Sequence, residues 1–585
     1  MKTLSKPIVF KGAHEMPYTT HSLSDMSWNQ TGTWRYLRPN YVEKIPACQS
    51  GCPAGEPIEL WLRELETGNV STAWEILTTE NPFPGLMGRV CFHPCEKACN
   101  RKDLGGAVTI NMLERSLADQ HGYKNSSVKK WKKDIGKKIA VVGSGPAGLA
   151  HAFFSTRLGH SVTVFDRFPK PGGLFRYGIP EYRLPKSIVE NEIKKLYDLG
   201  IKFECGKNLT RQDIENLTKS FDAVYLSLGA HISRPLGVDG ENAKGVIPAL
   251  NFLESAQLAM EGSATQVPAC KGKNVIVIGG GNSAVDASRM AIRLGASNVT
   301  IVYRRSRVEM PAFAEEINDA EAEGVKLIML AAPAKINAAA GSVKDILFTK
   351  MKLGDPDASG RRSPVAIPDS QFELPADIVL TAIGEIVDEQ LLPQKGDKII
   401  FGGDMLDQPR TVVNAIASGK AASIELDCKW RALDFNEVAN KIGVPETSVL
   451  RMTEYLRLTS DIKTIRRENV SVKQIVVKTE HLNTYYFDNS QPGSYPKKGV
   501  TERLKPNPMM EVHSAPLAEM AKTQLERCMH CGHCTECDNC YIYCPDVSIY
   551  KAKGGYDISY DFCKGCGVCV KECPRAAMIM TEEPT

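Results

Sequence analysis

Short apolar runs separated by amphipathic stretches dominate the middle of the chain. IAVV at 139–142, VTVF at 162–165, AVYL at 223–226, VIVI at 275–278, VTIV at 299–302 and IVLT at 378–381 read as buried strands. Helical patterns separate them up to about residue 425, and this alternation predicts α/β architecture. Before it, residues 41–125 mix Cys/Pro/Gly loops with short helical runs, IELWLRELETG and VSTAWEILTTE. Residues 1–40 are polar and rich in turn formers, as expected of a segment running over the surface. After it, residues 426–520 turn more polar, with a helical portion, FNEVANKIGVPETSVLRMTEYL, followed by NTYYFDNSQPGSYPKKG. That pattern predicts a linker or docking segment; Tyr485 and Tyr486 in it mark either a partner surface or local packing.

Composition narrows the picture. A chain of 585 residues exceeds one hydrophobic core, and length alone suggests about four domains. The net charge of +4 implies no strong attraction to nucleic acid or membrane. The start, MKTLSKPIVFKGAHE, has no apolar signal-like core, and no run approaches the length of a membrane span. A cytoplasmic location is therefore expected. Of the 18 cysteines, 15 crowd into positions 48–99 and 528–573, while Cys205, Cys270 and Cys428 stand apart as structural thiols. Clustering of this kind in a chain of this size points to metal rather than to a disulfide framework.

Two strand–turn–helix units have the chemistry of dinucleotide sites. In the first, a strand runs into Gly143-Ser144-Gly145-Pro146-Ala147-Gly148. The first glycine permits the turn, the second lets the backbone approach a pyrophosphate, and the third lets helix and strand pack closely. The following strand ends at Asp166, where a carboxylate would accept from ribose hydroxyls. The second unit reads Gly279-x-Gly281-Asn282-Ser283-Ala284, and its second strand ends in Tyr303-Arg304-Arg305 instead of an acid. Two guanidinium groups suit a 2′-phosphate, so NADP(H) is favoured, with NAD(H) the alternative if the arginines are a solvated surface run. The order of strands implies that the second fold is inserted into the first, with IIFGGD returning the chain to the first fold at Gly403-Asp404. FAD is assigned to the first site and the nicotinamide to the second.

The tail holds two successive C-x2-C-x2-C-x3-C-P runs: Cys534, Cys537, Cys540, Cys544 and Cys563, Cys566, Cys569, Cys573. This is the bacterial ferredoxin spacing, in which the fourth cysteine crosses to the other cluster. One 4Fe–4S set is then Cys534, Cys537, Cys540 and Cys573, and the other is Cys563, Cys566, Cys569 and Cys544. Zinc is the alternative occupant of C-x2-C pairs.

GSGPAGLA, PKPGGLFRYGIPEYRLPK, GGGNSAVDASR, VYRRSRVEMPA and the closing GGD segment together resemble the glutamate synthase small-subunit family. They also resemble the large subunit of NADH-dependent ferredoxin:NADP oxidoreductase and the N-terminal half of dihydropyrimidine dehydrogenase. The resemblance covers roughly residues 40–425. It implies FAD contacts at Gly143, Gly145, Gly148, Asp166, Gly173, Leu174, Arg183 and Asp404, and nucleotide contacts at Gly279, Gly281, Ala284, Arg304 and Arg305. It implies hydride transfer between nicotinamide and flavin by positioning, with no acid or base side chain required. It also implies an N-terminal cluster held by Cys52, Cys91, Cys95 and Glu114; a solvated helix glutamate is the alternative at Glu114.

The family's other cluster uses an upstream C-x2-C pair together with the equivalents of Cys48 and Cys99, and no cysteine precedes Cys48 here. LERCMHC supplies Cys528 and Cys531, which the ferredoxin runs leave over. The expectation is that they complete a fourth cluster with Cys48 and Cys99, from the same chain or a dimer partner; four unligated thiols are the alternative. The expected fold is thus a two-dinucleotide-binding α/β flavoprotein with nested Rossmann-like folds, an α-helical iron–sulfur domain and an α+β ferredoxin-like domain. Its boundaries are 1–125 (iron–sulfur), 126–240 and 386–425 (FAD), 241–385 (NAD(P)H), 426–520 (linker or docking) and 521–585 (ferredoxin). The expected activity is an NAD(P)H:acceptor oxidoreductase exchanging electrons with a protein partner. The appended ferredoxin tail resembles that of the flavoprotein serving dissimilatory sulfite reductase, which makes that reductase one candidate partner. A glutamate synthase small subunit and a non-turning-over conducting subunit are the competing readings.

Overall fold

The computed structural model describes residues 11–15, 30–122, 128–263, 269–459 and 475–583, apart from positions 395, 446, 448, 494 and 517. The chain divides into two compact units. The larger comprises 45–479 and 488–529, the smaller 1–44, 480–487 and 530–585.

Two parallel sheets organise the larger unit. The first has the order Ile399–Phe401, Ala223–Leu226, Lys138–Val142, Ser161–Phe165, Lys202–Glu204. The second has the order Lys326–Met329, Asn298–Tyr303, Asn274–Ile278, Ile378–Thr381, Val246–Pro248. A three-stranded antiparallel sheet, Ala331–Ala339, Ser342–Pro356 and Arg362–Pro375, extends the second fold. The insertion inferred from strand order is present: strands from both sides of residues 246–381 share the first sheet. At its neck Ile232–Ser233 pairs antiparallel with Glu385–Ile386, so the outgoing and returning chains run side by side.

One hydrophobic core joins the cysteine-rich helices to the first sheet. Trp61, Leu77, Leu86 and Leu113 belong to the same buried cluster as Ile139, Phe153, Phe154 and Tyr225. Phe83 is the hinge of this packing, its ring meeting those of Phe153 and Phe175 at 6.5 and 6.3 Å. The helix Val412–Trp430 packs along Pro146–Arg157. It comes close because position 419 is glycine: a Cβ there would stand 2.4 Å from the carbonyl oxygen of Ala147.

Of the stretch 426–520, the described residues 426–459 pack into the core of the larger unit. Helices Phe435–Ile442 and Met452–Thr459 place Val438, Ile442, Met452 and Tyr455 in the common core. Their polarity is spent on buried bonds. Asp427 accepts from Lys132, His160, Tyr455 and Arg431, and Glu80 accepts from Lys420 and from the backbone N–H groups of Met452 and Thr453. Residues 488–529 strap across the same unit, with Val512 in the core of the inserted fold and Arg503 and Lys497 on Asp319. The strap ends in the helix Ala518–Glu526, packed on Ile58–Glu66 and Ile110–Leu117. The boundary expected at 521 therefore lies later, near 530.

In the smaller unit, Leu37–Tyr41 pairs antiparallel with Met578–Glu582, and Ile549–Ala552 forms a hairpin with Gly555–Ile558. The segment expected to run over the surface thus supplies a strand, and the 1–125 domain begins instead at about 45. Tyr485 and Tyr486 fall in this unit, Tyr486 Oη donating to Glu572 at 2.6 Å.

Candidate flavin, nucleotide and iron–sulfur sites

At the carboxyl end of the first sheet lies an open cleft of about 1330 Å³. Gly143, Gly145, Pro146, Ala147, Asp166, Gly173, Leu174, Gly403 and Asp404 line it. Position 145 faces open space, whereas a Cβ at 148 would stand 1.9 Å from the carbonyl oxygen of Gly143. One glycine admits a ligand and the other admits the helix. The helix Pro146–Arg157 starts at the cleft with Gly145 as N-cap, so its orphan N–H groups and positive dipole end serve an anion. Asp166 accepts from the N–H and Oγ of Ser144 at 2.6 and 2.5 Å and from Phe168 N at 2.8 Å. Ser144 is fully buried, so it braces the turn and leaves the cleft to its neighbours.

Asp404 is pushed above the ordinary carboxylate range by burial, with Arg410 and His231 opposing. Arg410 and His231, with Arg167 and Lys207, also line the cleft. Sequence reasoning missed them because they come from loops between elements; only the nearness of Arg410 to the Gly403-Asp404 turn hinted at one. Arg183, by contrast, does not line the cleft among the described residues. It is buried on Asp286 (2.8 Å) and Glu316 (3.1 Å), tying the first fold to the inserted one. Burial pushes Asp286 up to about 6, against the pull of Arg183.

At the second motif, Gly281 caps the helix Asn282–Arg293 and faces open space. Asn282 Oδ1 accepts from Phe313 N at 3.0 Å, Ser283 is half-buried, and Ala284 and Gly279 lie inside the turn. The two arginines part company. Arg304 is exposed, whereas Arg305 is buried, donating through Nε to Arg362 O at 2.8 Å and pairing with Asp357. Arg305 thus anchors the long hairpin, and of the two arginines only Arg304 is exposed.

The N-terminal cysteines separate into two groups. Cys52, Cys91 and Cys95 are electrostatic neighbours of one another, Cys52 and Cys95 buried and Cys91 half-buried, and Glu114 borders Cys91. Glu114 is 5% exposed and accepts from Asn81 Nδ2 at 2.5 Å, which excludes a solvated helix carboxylate. Burial, then the charge of Glu56, holds it well above its ordinary range. Glu56, absent from the sequence reading, is a second buried carboxyl beside these thiols, pushed by burial to about 7. Cys99 lies elsewhere, next to Arg527, and Arg101 neighbours both Cys99 and Cys528. Cys48 and Cys528 pack against the core that contains Cys99, and the helix of Cys48 meets that of Pro94–Ala98. Cys531 belongs to the smaller unit.

In the smaller unit, Cys544, Cys563, Cys566 and Cys569 line one cavity of about 280 Å³. Cys534, Cys537, Cys540 and Cys573 are mutual electrostatic neighbours. Among the described residues no three His, Cys, Asp or Glu side chains close around a single ion; these thiols neighbour one another without converging on a point. No helix among them is long and apolar enough to cross a membrane.

Three family models match the chain: pyridine nucleotide-disulphide oxidoreductase at 137–419, dihydropyrimidine dehydrogenase domain II, 4Fe-4S cluster, at 42–126, and 4Fe-4S binding domain at 556–579. The glutamate synthase [NADPH] small chain of Escherichia coli is 34% identical over 416 residues, 65% of this chain and 87% of that one. The chain belongs to the glutamate synthase small-chain family. The chain is also similar to the NADP(+)-dependent formate dehydrogenase subunit beta of Moorella thermoacetica and the NADPH-Fe(3+) oxidoreductase subunit beta of Geobacter sulfurreducens. They are 35% and 36% identical over 65% and 60% of this chain. The chain spans 59% and 53% of their lengths. FAD, NADP(H) and 4Fe–4S clusters are the cofactors of this family architecture, and the cleft, the helix N-termini and the thiol groups fit them.

Proposed function

We propose that the chain is an NADPH:acceptor oxidoreductase that exchanges electrons with a redox protein. When bound, FAD would accept hydride from NADPH and release electrons singly to iron–sulfur clusters. The observation carrying this reading is the shared core of the larger unit, in which the Cys52–Cys91–Cys95–Glu114 group and the flavin cleft stand on one packed framework. Gly143, Gly145 and the helix beginning at Pro146 hold the flavin's pyrophosphate, Asp166 and Asp404 its hydroxyl groups. Gly279, Gly281 and Arg304 hold NADPH. Cys52, Cys91, Cys95 and Glu114 hold one cluster, and the two crossed tail sets hold two more. A fourth is assigned to Cys48, Cys99, Cys528 and Cys531, from the same chain or a dimer partner, supported by Cys528 lying in the same unit as Cys48 and Cys99.

The tail's cysteine runs lie in a unit of their own, which makes the tail the natural exit toward an acceptor such as dissimilatory sulfite reductase. The 87% coverage of the E. coli small chain favours a second reading, an electron-donating subunit of a synthase.

The test is anaerobic reduction of the purified FAD-loaded protein, followed by flavin and cluster bleaching. NADPH is expected to bleach both rapidly and NADH slowly. Bleaching by NADH alone would overturn the assignment of Arg304. No bleaching by either would make the chain a conduit fed by a partner.

A further inference from the structure

The N-terminal strand belongs to no motif, yet the smaller unit is built around it. Its pairing sets Tyr41 opposite Met578, and the Tyr41 ring stacks on Tyr556 at 6.4 Å and 19°. This brings Tyr41 Oη to 3.0 Å from Cys540 Sγ, across 499 residues of chain. Tyr556 is held in turn by Asp538, two residues before that cysteine, donating to Oδ1 at 2.7 Å and accepting from Asp538 N at 2.9 Å. The strand itself is fixed by Tyr560, whose hydroxyl donates to Pro39 O at 2.8 Å, and by Arg35 on Glu583 at 2.6 Å. Tyr41 is therefore placed by three independent constraints: ladder, ring stack and strand anchor.

We infer that Tyr41 is a potential-setting residue, its phenol hydrogen-bonded to the Cys540 sulfur and raising the reduction potential of the cluster held by Cys534, Cys537, Cys540 and Cys573. The inference rests on the proposed ligand role of those four cysteines. A sulfur bonded to iron carries no proton, so in this pair the phenol donates. Reduction adds one negative charge, which the cluster shares with its ligand sulfurs. A donor aimed at one of them stabilises the reduced form more than the oxidised form, and hydrogen bonds to sulfur are a recognised control of cluster potential. The crossed set, whose cavity is formed by Cys544, Cys563, Cys566 and Cys569, has no such contact from Tyr41, so the effect falls on one cluster of the pair. The other set has its own donors, Ser548 Oγ at 3.2 Å and Ser548 N at 3.4 Å from Cys544 Sγ, so Tyr41 acts on the first cluster alone.

The test uses the full-length reconstituted protein, its one-electron steps followed by redox titration with paramagnetic resonance. Tyr41→Phe keeps the ring and removes the donor. It should retain full iron and lower one step by about tenfold in its reduction equilibrium, ~59 mV for one electron, leaving the others in place. Tyr560→Phe loosens the same strand without touching the sulfur and should leave that step unmoved. Unchanged potentials in Tyr41→Phe at full iron would overturn the inference, as would an equal shift in Tyr560→Phe. Cys540→Ser tests the ligand role separately: undiminished iron there would overturn that role and the inference with it, whereas iron loss there with an unmoved Tyr41→Phe potential would refute only the tuning.

Discussion

Glu323 shows how much a single residue depends on neighbours that sequence does not reveal. Both its oxygens are buried against Arg289 and Arg293, at 2.6–3.0 Å. Burial pushes its pKa up, but the two guanidinium groups bring it down to about 2. The folded value lies below the unfolded one of about 4.3, so the unfolded chain takes up the proton first. The stabilisation is present in full above about pH 5 and is lost as pH falls toward 2. Glu323→Gln should destabilise the inserted fold at pH 7 by about 3 kcal/mol, since it leaves the buried Arg293 without its carboxylate and takes one of three from Arg289. Denaturant unfolding at pH 7 and pH 4 would check this; a difference from the parent that does not shrink at the lower pH would show the carboxylate charge to be irrelevant. The same lesson applies to Arg183 and Arg305. Their charge was legible and suggested phosphate or flavin contacts, but Asp286, Glu316 and Asp357 claim them.

At the scale of elements, the strands ending in glycine turns were legible because a run of apolar residues followed by G-x-G-x-x-G/A leaves the backbone few alternatives. The helix Ala518–Glu526 was not. Its sequence is polar enough for a linker, and it is fixed from outside by Arg527, which donates to Ala107 O, Gly106 O and Ser490 O at 2.7–2.9 Å. Those bonds dock the helix beside the loop after Cys99 and present Cys528 to the larger unit. Cys528→Ser should therefore remove the iron of one cluster and spare the two tail sets, as read by iron content and by the tail's one-electron signals. Iron unchanged from the parent would defeat the fourth cluster.

For the whole molecule, the joining of the first strand to the last is the feature with the widest consequence. Removing residues 1–44 takes away the partner of Met578–Glu582 together with Tyr41 and Arg35. The shortened chain should keep FAD and NADPH-dependent flavin bleaching but lose the tail's iron. Full iron in that variant would show the strand to be dispensable. The sequence by itself determined what is local: two dinucleotide turns, the nesting of one fold in the other, and two cysteine runs of ferredoxin spacing. These depend on residues close along the chain, or on a repeat that fixes its own geometry. Only the tertiary structure decided that Arg305 is buried on Asp357 while Arg304 is exposed, that residues 426–459 are core, that Glu114 is buried among thiols, and that Tyr41 meets Cys540. Each of those depends on a partner far along the chain. Burial turns such a meeting into a hydrogen bond or an ion pair, because an unpaired polar group there is costly.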